Sequence, residues 1–300
     1  MRVCTIIVTY NRKEMLLRCI KACLSQTFST DILIYDNHST DGTGKYLKQA
    51  GIIDKRNVIY YYAKENLGGA GGFSTGLKMA YEREYDFFWL MDDDGYPAND
   101  RCLEMCFDSY NSLKNDDVIL NSAVVCDDYE TLSFGTGGLK TITDLIANSQ
   151  KGVYRDFISP FNGTLLSKNV VRKIGFPRGD FFIKGDETEY IRRAQSKNVC
   201  LFTSVNSLFV HPKLCLERKR VLFFTYEYAE ESFWKEYYHT RNYVYIYKKY
   251  YGKQVLMKHF VRTMLNCLTY KNDRKKKRRY ALKGLIDGIR GNFTNIDIKT

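Results

Sequence analysis

The stretch WLMDDDGYP, residues 89–97, constrains this chain more than any other. Residues 85–91 (YDFFWLM) form a near-continuous apolar and aromatic run without helical spacing, which predicts a short buried strand. Three carboxylates, Asp92, Asp93 and Asp94, stand at its end, and Gly95 and Pro97 close a turn behind them. Adjacent acids at the mouth of a buried strand repel one another and are costly unless a cation or a hydrogen-bonded ligand offsets them. A hard divalent ion with oxygen ligands, Mg²⁺ or Mn²⁺, holding a polyphosphate in turn, meets that need. A solvated acidic turn is the plain rival.

The stretches upstream repeat one pattern. The β-branched run 3–9 ends at Tyr10-Asn11-Arg12, ahead of a helix that would bury Leu16, Leu17, Ile20 and Leu24. A second strand at 32–35 runs into the polar loop DNHSTDGT, residues 36–43. A third, 58–62, leads to NLGGAGGF (66–73), and a helix is expected over 74–84. Strands alternating with helices imply βαβ units and a largely parallel sheet, whose ligands sit outside the carboxyl ends of its strands. All four polar clusters are then expected to face one crevice.

Beyond the triplet, a helix is expected at 100–112, strands at 118–125 and 161–166, and short strands at 199–203 and 208–210 before His211-Pro212. Residues 129–154, poorly periodic, are expected to form loops or a hairpin over one sheet edge. The acid-rich run Asp186, Glu187, Glu189 opens a helix, where free N–H groups favour carboxylates. From about residue 227 the pattern turns helical, with Phe233, Tyr237, Tyr238, Arg241, Asn242, Tyr245 and Tyr250 giving one helix an aromatic face.

Charge divides the 300 residues unevenly. Residues 1–210 carry 25 Lys+Arg against 26 Asp+Glu, and residues 211–300 carry 21 against 8, so the excess sits in the tail and suggests a separate element with an anionic neighbour. Its run Arg274-Lys275-Lys276-Lys277-Arg278-Arg279 suits an anionic membrane surface; no RNA- or DNA-binding motif accompanies it, so nucleic acid is not expected. The nine cysteines are odd in number and contain no CxxC pair, which argues for buried thiols of a reduced cytoplasm over a disulfide framework or zinc module. No secretory leader and no run of about eighteen apolar residues is evident, so a cytoplasmic, peripherally attached protein is expected.

Taken together these stretches resemble glycosyltransferase family 2, and within it the bacterial galactofuranosyltransferases and rhamnosyltransferases that build surface polysaccharides. The resemblance rests on VTYNR (8–12), DNHSTDGT, NLGGAGGF, WLMDDDGYP, FNGTLLS (161–167) and FFIKGDETEY (181–190), in the family's order and spacing, over residues 1–212. It implies a GT-A fold, an α/β Rossmann-like mixed, mainly parallel sheet with a donor half (1–97) and an acceptor half (98–212), followed by a basic helical extension (213–300). It implies that Thr9, Tyr10, Asn11, Arg12 and Asp36 surround the nucleoside, with Asp36 accepting from the base. Asn66, Gly68, Gly69, Gly71 and Gly72 would line the donor sugar, with Asp92 and Asp93 beside the nucleotide. The implied metal ligands are Asp92, Asp94 and His211, for Mg²⁺ or Mn²⁺.

The resemblance places the general base at Glu187, with Asp186 as the alternative and Glu189 as an anchor. Two departures stand out: Glu occupies the base position where Asp is usual, and Gly185 replaces an aromatic common at the acceptor site. The implied reaction is inverting transfer from UDP-galactofuranose, UDP-galactose or dTDP-rhamnose to a lipid-linked oligosaccharide, by a chain that could also form a homo-oligomer. A sugar-phosphate nucleotidyltransferase is disfavoured because residues 8–12 are not a glycine- and lysine-rich loop. A non-catalytic basic adaptor is disfavoured because every acidic motif is intact.

Overall fold

The computed structural model describes residues 1–136, 138–213, 217–221, 224–228, 231–270 and 272–296. The amino-terminal part alternates as the pattern of apolar runs predicts: β1 (Val3–Thr9), α1 (Lys13–Leu24), β2 (Asp31–Asp36), α2 (Thr43–Gln49), β3 (Val58–Tyr62), α3 (Gly68–Glu82) and β4 (Phe87–Asp92). These four strands are parallel in the order β3-β2-β1-β4, with Thr9 opposite Asp36 and Val8 opposite both Tyr35 and Asp92. Their polar carboxyl ends therefore lie along one edge.

The second half follows with β5 (Tyr96–Pro97), α4 (Cys102–Ser112), β6 (Val118–Val125), β7 (Thr131–Thr136), β8 (Leu139–Thr141), α5 (Ile142–Ala147), β9 (Val153–Arg155), β10 (Asn162–Ser167) and α6 (Lys168–Ile174). A 3-10 turn (Gly179–Phe181), α7 (Asp186–Ser196) and β11 (Cys200–Val210) complete it. The sheet continues β4-β10-β6-β11-β5, with β10 antiparallel to both its neighbours, so it is mixed but mainly parallel. Alternate side chains of each strand enter two cores: Trp89 and Met91 pack with Leu16, Cys19 and Leu103 on one face, while Phe88 and Leu90 pack with Leu77, Val170 and Tyr190 on the other.

Several expectations need correction. The helix expected at 74–84 begins at Gly68, so the glycine run is its first turns and not a loop. The polar loop after β2 continues directly into α2, which the residue pattern did not reveal. The two short strands expected at 199–203 and 208–210 are one strand, β11, whose register against β6 shifts between Ser204 and Leu208. Residues 129–154 hold the β7–β8 pair together with α5 and β9.

The basic tail comprises the hairpin β12 (Glu217–Val221) and β13 (Phe224–Tyr228), then α8 (Phe233–Tyr250), α9 (Lys253–Thr269) and α10 (Arg274–Arg290). It is not the separate element that its charge suggests. Arg241 of α8 is fully buried and donates to the carbonyls of Asp180 and Phe181, each at 3.1 Å, while its ring neighbours Tyr237 and Tyr238 cover it. Asn242 donates to the carbonyls of Phe181, Ile183 and Lys184 at 2.8–3.0 Å. That loop needs holding, because Phe182 and Lys184 both adopt a left-handed backbone (φ 67) that side chains disfavour. Replacing Asn242 by Ala leaves three carbonyls without this donor, and urea denaturation should show a loss of about 3 kcal/mol.

Candidate active site

The carboxyl edge of β1–β4 and the amino end of α7 border a cleft of about 660 Å³, within the size range of a small-molecule or cofactor site. One of its walls is Thr9, Tyr10, Asn11, Arg12, Asn66, Gly68 and Gly69; its floor is Asp92, Asp93 and Asp94. Asp186 and Glu187 face them, with Phe182, Ile183, Lys184, Trp234 and Lys235 closing the other side. The cleft thus joins sequence stretches more than two hundred residues apart.

Hydrogen bonds between loops fix the first of these walls. Asn11 accepts through Oδ1 from Thr40 N–H at 2.7 Å, and its own N–H donates to Ser39 Oγ at 2.9 Å. Asn37 donates to the carbonyl of Gly68 and accepts from the N–H of Leu67, both at 2.8 Å, tying the loop after β2 to the start of α3. Gly68 has φ +70, and a Cβ there would lie 2.0 Å from the Phe182 carbonyl, so this glycine is what lets the 180–184 loop approach. Tyr10 stands exposed at the rim.

Pleating separates the three aspartates. Asp93 follows Met91 toward α1, where Thr9 Oγ1 donates to it at 2.6 Å and Arg12 Nη1 at 3.1 Å. Burial pushes its carboxyl up to about 6 in spite of those donors. Asp92 follows Leu90 toward α7; burial first, then Asp94, Asp93 and Glu187, push its carboxyl well above the ordinary range. Asp186, buried at the first turn of α7, is likewise driven up by burial and by the charge and hydrogen bond of Glu187. Asp94 goes the other way: burial raises it, but His211 and Arg12 outweigh burial and hold it below its usual value.

The pairing of β5 with β11, Tyr96 opposite Val210, brings His211 to Asp94. His211 Nδ1 lies 2.8 Å from the Pro212 carbonyl, which can only accept, so Nδ1 carries a hydrogen. Its Nε2 then faces Asp94 Oδ1 at 3.4 Å, and that buried oxygen has no hydrogen-bond partner. Two lone pairs aimed at each other require either a proton on Nε2 or a cation between them. The donor set, one carboxylate oxygen and one imidazole nitrogen, fits a divalent ion such as Mn²⁺ or Mg²⁺ completed by oxygens of a ligand. Among the described residues no three His, Cys, Asp or Glu gather closely enough in this structure to enclose an ion.

Other expected site residues act elsewhere. Asp36 is fully buried, accepting from Ser39 N–H at 2.8 Å and Tyr60 O–H at 2.5 Å, so it braces a loop and offers no exposed edge to a base. Gly71 and Gly72 are packing glycines: a Cβ would lie 2.4 Å from Leu67 Cβ and 2.5 Å from Val8 Cγ1 respectively. Asp93 is an anchor more than a ligand contact, being 3 % exposed. Glu189 is 1 % exposed and bound by Arg193 and by Tyr250 O–H at 2.7 Å, an anchor between α7 and α8. Asn37, Lys184, Trp234 and Lys235 were missed; Asn37 carried a signal in the polar loop after β2 and Lys184 in the stretch 181–190, whereas Trp234 and Lys235 carried none.

The sequence profile of the family Glycosyl transferase family 2 matches residues 4–174, more than half the chain. The chain belongs to this family. Among family 2 relatives, the galactofuranosyltransferase GlfT1 of Mycolicibacterium smegmatis is 30% identical over 219 residues, 70% of each chain. Solved structures share the GT-A fold. Staphylococcus aureus TarS 1–349 superposes with a TM-score of 0.60 at 14% identity, over 98% of this chain and 82% of that one. GalNAc-T7 with UDP, GalNAc and Mn²⁺ gives 0.63 at 11% identity, over 97% and 56%. This family 2 member is therefore a glycosyltransferase with a mainly parallel GT-A sheet. Thr9→Val keeps the shape of the side chain but removes the hydroxyl that donates to buried Asp93. Chemical denaturation should report a loss of about 2 kcal/mol for that variant.

Proposed function

We propose that this enzyme is an inverting, divalent-metal-dependent transferase that moves galactofuranose, or else rhamnose, from a nucleotide diphosphate onto a lipid-linked oligosaccharide. The observation that carries the reading is that Asp94, which pairs with His211 at 3.4 Å, and Glu187 line one cleft. The relationship to GlfT1 favours galactofuranose, and hence UDP-galactofuranose, over UDP-galactose or dTDP-rhamnose.

In this reading Asp94 and His211 would hold a divalent ion, which when bound would supply positive charge toward the leaving diphosphate. Tyr10, Asn11 and Arg12 border the nucleoside, and Asn66, Gly68 and Gly69 border the sugar and diphosphate. Glu187 takes the proton of the acceptor hydroxyl; its oxygen attacks the anomeric carbon, and the C–O bond to the diphosphate breaks with its electron pair leaving on the nucleoside diphosphate. Asp186, buried and with its carboxyl pushed well above the ordinary range first by burial and then by Glu187, is the alternative base. Trp234 gives the acceptor side an aromatic face, taking the place of the one absent at Gly185. The acceptor half and the basic extension (213–300) thereby work as one unit, and the extension meets the cytoplasmic face of an anionic membrane.

The test incubates the enzyme with Mn²⁺, an acceptor and each of the three donors, and follows the products. Release of nucleoside diphosphate with an inverted anomeric centre is expected, and release of pyrophosphate would instead indicate a nucleotidyltransferase. Glu187→Gln should lower transfer by at least about a hundredfold while donor binding persists. Asp94→Ala should abolish transfer and donor hydrolysis together; an active Asp94→Ala enzyme would exclude the metal role.

A further inference from the structure

Seven of the fourteen exposed large apolar side chains among the described residues sit on α9 and α10. On α9 they are Met257, Val261, Met264 and Leu268, at spacing i, i+4, i+7, i+11, which at about 100° per residue is a single stripe. Leu268 is 70% exposed and Met257 63%. The residues that α9 buries (His259, Thr263, Asn266, Cys267) lie on the opposite face. On α10 Leu282, Ile286 and Ile289 repeat the spacing i, i+4, i+7, about 120° round the helix from the buried stripe of Ala281, Gly284, Leu285 and Gly288 that packs on α8. These positions are neither core nor scattered surface residues, and water is a poor neighbour for seven aliphatic side chains in two rows.

Charge identifies the occupant. The two helices carry 11 Lys+Arg and one Asp+Glu, and that acid, Asp287, is buried and bound to Lys283 and Tyr237. Exposed Lys275 and Arg279 extend the α10 stripe toward its amino end, and exposed Lys253 and Lys258 flank that of α9. A second copy of this chain would bring two such basic faces together, and nucleic acid would leave the aliphatic rows in water. An anionic lipid surface satisfies both features, with the stripes in the acyl boundary and the cations among the headgroups.

We propose that α9 and α10 lie in the plane of an anionic membrane and hold it by inserting these two stripes, so that charge steers the contact and aliphatic burial retains it. Both helices pack on α8, whose amino end supplies Trp234 and Lys235 to the cleft, so docking brings the acceptor side of the cleft toward the lipid. This deepens, and rests on, the reading of the acceptor as lipid-linked.

The test is flotation of the full chain with phosphatidylcholine vesicles, with and without phosphatidylglycerol, at low salt and at about 0.5 M salt, where contacts made by charge alone are screened. The wild type should float with the anionic vesicles and keep part of that binding in high salt. Val261→Asp combined with Leu268→Asp, and separately Ile286→Asp, should each weaken binding at least about tenfold, with unchanged circular dichroism and unchanged donor hydrolysis in solution. Unaltered binding by these variants, or complete release of the wild type by salt, would overturn insertion. So would absence of vesicle binding together with self-association that the same variants abolish, which would make the face a contact between copies. If vesicle binding behaves as expected but the wild type turns over no donor, the transferase reading fails and the membrane face stands.

Discussion

Negative charge concentrated at the carboxyl end of β4 is the constraint that the surrounding structure answers. Asp92, Asp93, Asp94, Asp186 and Glu187 share one cleft, in surroundings that penalise ionised groups. The protein answers by position. Strand alternation turns Asp93 inward to Thr9 and Arg12, burial and neighbouring acids push Asp92 and Asp186 above the ordinary carboxylate range, and His211 and Arg12 hold Asp94 below it. What is left is one carboxylate oxygen with no donor, facing an imidazole nitrogen. Cation binding would relieve the charge and complete the site at once.

The carboxylates from α7 reach this cluster only because the tail holds the loop that precedes them. Arg241 and Asn242 gather the backbone carbonyls of residues 180–184, and Gly68 admits the Phe182 carbonyl from the other side. A loop with two side-chain-bearing residues in left-handed backbone is thereby fixed from both flanks, and with it the direction in which α7 starts. The basic extension is thus part of the machinery that shapes the cleft, while its outer face, on α9 and α10, points away from α8.

The architecture was legible where apolar runs end in polar clusters. The run 85–91 marked a buried strand, and the repeated strand-then-polar-loop order gave the parallel sheet and the common edge. Individual roles were less legible. Gly72 serves the packing of α3 on β1 and Gly71 the close fold-back of Leu67, and a glycine kept for packing looks identical in sequence to one kept for a ligand. The family resemblance points Asp36 at the base, and its partners, Ser39 N–H and Tyr60 on the neighbouring strand, become visible only once β2 and β3 pair. Trp234 and Lys235 were invisible because no local pattern says which end of α8 leans over the cleft. Separation of the three aspartates depended on where β4 ends, a matter of one residue.

The most direct measurement is Mn²⁺ binding followed by electron paramagnetic resonance in the presence of UDP, on the wild type and on His211→Ala. One ion bound per chain in the wild type, and none retained at the same concentration by the variant, is the predicted result. Equal binding by the two proteins, or no UDP-dependent binding by either, would contradict the convergence of Asp94 and His211 on a nucleotide-holding ion.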